Sequence, residues 1–206
     1  MKFKPIFDEL EAHAPFTIFA TLIAFSLFLF LKTSVLHQVS EASFEIFHPL
    51  HLLFSAIVTG GIYYKYKKNI LQTVLIAFIG AFVVGTLSDV IMPYLGSLMF
   101  GTPIEFHFPL FEEPVLILGS LFIGTAIGIK FQMTKVPHFL HVFVSTFASL
   151  FYITAFTSTI GLYQVITSFL IVFVSVIIPC CASDIVLPVT LLGEHVEHCH
   201  CKKCHH

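Results

Sequence analysis

The chain alternates long apolar runs with short polar stretches, and the polar positions inside the runs are few. Six runs have the length that a bilayer-crossing helix needs, roughly 20 residues. They predict helices near 15–36, 45–64, 70–95, 112–131, 137–157 and 162–192. The first run follows the acidic stretch "FDELEAH" and lacks a small-residue cleavage site, so it reads as a retained helix and not a signal peptide.

The polar residues inside these runs recur in pairs. "FHPLHLLFSA" opens the second run, and on a helix His48, His51 and Ser55 fall within about 60° of one another around the axis. "HFLHVFVSTF" opens the fifth run with His138, His141 and Ser145 in the same pattern. "SDVIMPYLG" from Ser88 and "SDIVLPVTLLG" from Ser183 close the third and sixth runs, each with proline four residues after the aspartate. A weaker pair is "HAPFTIFAT" at helix 1 and "EEPVLILGS" at helix 4, which sets His13 opposite Glu112. The order is the same in both halves, and three helices per half is an odd number. The second half must then enter the membrane from the opposite side, a construction that recurs in secondary transporters.

The fold expected is therefore an all-α polytopic membrane protein, with six transmembrane helices forming a 3+3 inverted-topology repeat. Residues 1–96 form the first repeat and 97–111 an outer connecting loop. Residues 112–193 form the second, inverted repeat, and 194–206 a cytoplasmic tail. Gly124 and Gly128 form Gly-x-x-x-Gly in helix 4, which suits close packing within the chain and also a homodimer.

Composition agrees with the pattern. Of 206 residues 57% are hydrophobic and 11% charged, with a mean hydropathy of +0.94, which excludes an ordinary soluble domain. There is no arginine. Lys2, Lys4, Lys65, Lys67, Lys68, Lys130, Lys135, Lys202 and Lys203 all fall on one side of six crossings, leaving Lys32 alone near the other. The positive-inside rule makes that side the cytoplasm, with both termini there and the protein integral to the plasma membrane. The lysines are few and have topology as their explanation, so nucleic acid is not an expected partner. The expected partners are the lipid bilayer and a metal ion.

With that topology the polar residues group into two constellations. His48, His51, Asp89, Glu112 and Glu113 gather toward the outer face; His138, His141, Asp184 and His13 gather toward the cytoplasmic face. Imidazole with carboxylate suits zinc first, then iron, nickel or manganese. One His-x-x-His near a helix end is ordinarily interfacial; its recurrence with an aspartate in each half is what points to metal. Ionisable residues in spans face a bundle interior or water, and a divalent cation would offset the burial cost of the carboxylate. Pro93 and Pro188 free a backbone carbonyl and kink or end their helices. Cys180 and Cys181 lie one turn before Asp184, where one can serve as a soft ligand and the other as packing. His37 and His107 fall in outer loops and read as surface.

The tail "EHVEHCHCKKCHH" offers His198, Cys199, His200, Cys201 and Cys204, a composition that binds metal and builds no core. The leading expectation is a transporter of a divalent transition metal, coupled to protons through its ligands, with two separate pseudo-symmetric sites. An intramembrane metal-dependent hydrolase with a His/His/Asp site is the alternative, Glu113 supplying its base. A proton-coupled carrier of an organic solute is the third.

Overall fold

The computed structural model describes residues 36–132, 135–157 and 162–181, and before them Pro15, Ile18, Phe19, Leu22, Ile23 and Ser26. His13, Asp184 and the tail lie outside the described residues, as do the side chains of Cys180 and Cys181. The described chain is all-helical apart from one isolated bridge between Ile104 and Thr157. Helix α1 spans Leu36–Lys67. After a two-residue turn α2 spans Ile70–Thr86, a π-helical turn covers Leu87–Ile91, and α3 continues over Met92–Met99. A short α4, Pro109–Glu112, precedes α5, Pro114–Phe131; α6 is Lys135–Phe156 and α7 Leu162–Cys181.

Among the described residues four stretches are long and apolar enough to cross a membrane: Ser40–Lys67, Ile70–Met99, Pro114–Phe131 and Pro137–Phe156. The burial pattern is that of a protein in lipid. Ile70, Leu71, Leu75, Ile79 and Val83 lie on the outside of α2, while Ser55, Thr59, Ser88 and Ser145 are wholly buried. Large apolar side chains outside and hydroxyls inside reverse the arrangement water imposes.

Small residues set how closely the helices pack. A Cβ on Gly124 would meet Leu53 O, and one on Gly128 would meet Ile57 O and Gly61 N, so α5 lies directly on the backbone of α1. The Gly-x-x-x-Gly stripe is thus used inside the chain. Gly60 beside Ala77 and Gly85 beside Leu52 show α1 and α2 running antiparallel. Phe47 meets Phe147 and Phe151, and Phe44 meets Tyr152 and Phe156, so α1 and α6 are antiparallel too. At one end of the bundle Lys65 and Lys67 close α1 and Lys130 closes α5. Lys68 Nζ reaches Gln132 Oε1 at 3.4 Å there, so these lysines share one end, as their spacing implied.

Two expectations about helix 2 and the outer loop are corrected. Helix α1 begins at Leu36 and not near 45, because "LHQVSEASFEIF" has no breaker and takes helical form ahead of the apolar run. His37 therefore belongs to α1 and not to a loop. His107 is not a surface residue: it is buried and its ring stacks on Phe156 at 4.4 Å. Its loop folds back over the end of α6, with Glu105 N–H bonded to Phe156 O at 3.0 Å and His107 N–H to Tyr152 Oη at 3.1 Å.

Candidate metal centre

Asp89 organises the polar interior. It sits on the π-helical turn, and Pro93 accounts for that turn. Proline has no N–H to close the bond to the Asp89 carbonyl, and Met92 N–H reaches back to Leu87 O, the wider π spacing. The Ser88 carbonyl is then left without a backbone donor from Pro93 and accepts the Ser149 hydroxyl at 3.1 Å. Pro93 does not end the helix, which continues to Met99. The wider turn lets adjacent Ser88 and Asp89 both face the interior, each fully buried.

Both oxygens of Asp89 are engaged. Oδ2 accepts from His48 Nδ1 at 2.9 Å and His51 Nδ1 at 2.6 Å. Oδ1 accepts from Ser88 Oγ at 2.8 Å and Ser145 Oγ at 2.9 Å, with Ser149 Oγ at 3.5 Å. A carboxylate only accepts, so both imidazoles carry their proton on Nδ1 and turn Nε2 away from Asp89. An ionised carboxylate is costly in a membrane interior unless such donors surround it. Here three helical elements supply them: α1, the π turn itself and α6.

His48, His51 and Asp89 each offer a ligand atom, and these atoms lie within 4.8 Å of one another with all three residues buried. Two imidazoles and a carboxylate form a borderline donor set that fits zinc, iron, nickel or manganese. The hydroxyls of Ser88 and Ser145 hold the second oxygen of Asp89, as outer-shell partners hold a ligating carboxylate. The group can therefore hold a divalent ion.

The expected separation into an outer and an inner cluster is not what the structure has. The His51 and His141 rings lie 4.4 Å apart between centroids, and His138 is 6.1 Å from His141. Ser145, from the second half, donates directly to Asp89 of the first. Both His-x-x-His pairs thus meet in one central cluster. The physical reason is depth: α1 starts nine residues before the expected boundary, which carries His48 and His51 into the span instead of leaving them at its mouth.

Glu112 and Glu113 are not in this cluster. Both are exposed, and Glu112 Oε1 pairs with His107 Nδ1 at 3.1 Å. Between that pair and the cluster stands an aromatic cap. Phe44 stacks on His48 at 5.4 Å and lies edge-on to His107 at 5.8 Å. Ser149 and the backbone role of Ser88 were not singled out from the sequence. Ser149 stands 90 residues after Thr59, the offset that separates the histidine pairs, so the repeat carried one turn further would have found it. The chain matches no protein-family model, no curated protein and no solved structure.

Proposed function

We propose that this protein carries a divalent transition metal ion across the membrane, zinc first, then iron, nickel or manganese. His48, His51 and Asp89 bind it midway, and the halves are the 3+3 inverted repeat that the paired motifs describe. The observation that carries the reading is the buried His48–Asp89–His51 group, met by His141 from the other half. In an inverted repeat, ligands from both halves at the centre are what alternate exposure to two faces needs. The lysine-rich end is the cytoplasmic one, and the Cys/His tail there gathers or buffers ions at the inner mouth. Release of the ion to either side returns protons to the imidazoles and carboxylate, which couples transport to protons.

The hydrolase alternative is weakened by position. Its expected base, Glu113, is exposed and outside the central cluster. A carrier of an organic solute would need room where side chains now touch: Asp89, His51 and Ser145 bond directly, and a bare ion demands far less displacement. Purified protein in liposomes loaded with a zinc-sensitive dye tests the reading. Zinc should equilibrate across the membrane at least about tenfold faster with the native chain than with Asp89→Asn, a margin matching loss of a metal-site group. Equal rates would reject transport through this site.

A further inference from the structure

A buried hydroxyl on a helix has a ready partner in the carbonyl one turn back on its own helix. Thr125 uses the Leu121 carbonyl at 2.7 Å, Thr146 that of Val142 at 2.9 Å and Ser175 that of Ile171 at 2.6 Å. Ser55 and Thr59 on α1 do not. Both are wholly buried, and neither hydroxyl has a bonding partner among the described residues. An unsatisfied buried hydroxyl is costly, and native structures rarely keep one without water or another polar group to meet it.

Their order along α1 points to water. His51, Ser55, Thr59 and Tyr63 follow one another at four-residue steps, and all four are buried. Each step rises about 6 Å and turns about 40°, so the four form one slowly winding ridge about 18 Å long. A gap of about 6 Å is too wide for a direct hydrogen bond and close to two of them end to end, so one water bridges each step. At the buried end His51 bonds Asp89. At the other end Tyr63 donates to Gln72 Oε1 at 3.2 Å, and Gln72 is exposed where Lys65 and Lys67 close α1. Polar groups thus lead from the buried carboxylate to the surface with no gap longer than about one turn.

We infer that Ser55 and Thr59 line a water-bearing route between the central His/Asp group and the lysine-bearing end of the bundle. From Ser55 to Tyr63 α1 carries no charged side chain, so this lining hydrates an ion in transit, whereas the imidazoles and carboxylate hold it. The purpose of the route rests on the carrier reading: it is how a divalent ion exchanges between the centre and that end. Its existence does not, because water enters without metal.

The test is the reactivity of single cysteines in proteoliposomes, with metal chelated and the five native cysteines replaced by serine. The probe is a membrane-impermeant trimethylammonium methanethiosulfonate, which reacts with thiolate in water. Gln72→Cys marks the lysine-bearing side, and Ile57→Cys, on the buried part of α1 that meets Gly128, supplies the dry baseline. Added from the Gln72 side, the probe should modify Thr59→Cys at least about tenfold faster than Ile57→Cys, because a dry apolar setting suppresses the thiolate. Ser55→Cys, one turn deeper, should react at a rate between the two. Should one of these variants not fold, the other decides. Reaction no faster than that of Ile57→Cys, or faster from the opposite side, overturns the inference. Zinc flux is measured separately. Labelling in a chain that moves no zinc upholds the route and removes the carrier; flux without labelling removes the route alone.

Discussion

Asp89 bonds to two imidazoles on one oxygen and to serine hydroxyls on the other, and the two sides do different work. In the proposed function the imidazole side is the ligand face; the hydroxyl side fixes the carboxylate's orientation. Ser145→Ala removes one of the donors to Oδ1 and should weaken zinc binding by about 10–100-fold, the usual cost of an outer-shell partner. Asp89→Asn removes a ligand and should weaken it further than that. Competition with a chromophoric chelator measures both; equal losses would mean that Asp89 is not itself a ligand. The histidine pairs and the Ser88-Asp89 motif were legible in the sequence because their spacing is local and recurs along the chain. The burial of His107 was not, because it depends on Phe156 and Tyr152, about 50 residues away, receiving its ring and backbone.

At the scale of elements, the decisive feature is the π turn in the long span from Ile70 to Met99. The sequence shows its cause, Pro93 four residues after Asp89, but a proline can end, kink or widen a helix. What selects widening here is tertiary: Ser149 on α6 supplies the donor that the Ser88 carbonyl loses. Pro93→Ala restores an N–H and permits ordinary α-helical closure. The variant should keep its helix content, while zinc affinity falls by about tenfold or more as Asp89 turns away from its outer-shell partners. Circular dichroism together with the chelator competition reads both, and unchanged affinity would show that the turn does not aim the carboxylate. The small residues follow the same logic. Gly124 and Gly128 bring α5 onto α1, and the sequence stripe by itself does not say which surface it meets.

At the scale of the whole molecule, the membrane class was legible from hydropathy, because roughly 20 apolar residues in succession have few other uses. The antiparallel order of α1 and α2 followed from connectivity. Depth did not. A helix that starts before its apolar run looks the same as one that starts with it, so His48 and His51 read as a mouth when they lie within the span. That single error of register separated two histidine pairs that the folded chain joins, as the 4.4 Å contact between the His51 and His141 rings shows.

The most direct test of a shared intramembrane metal centre is elemental analysis of the full-length chain with His198, Cys199, His200, Cys201 and Cys204 replaced by serine. That substitution silences the tail, which would bind metal whatever the core does. The account predicts at least one tightly held zinc, or another divalent transition ion, per chain. It also predicts loss of that ion when His51 and His141 are both changed to alanine. A tail-silenced protein that carries no metal after reloading, or one whose metal survives the double substitution, would contradict it.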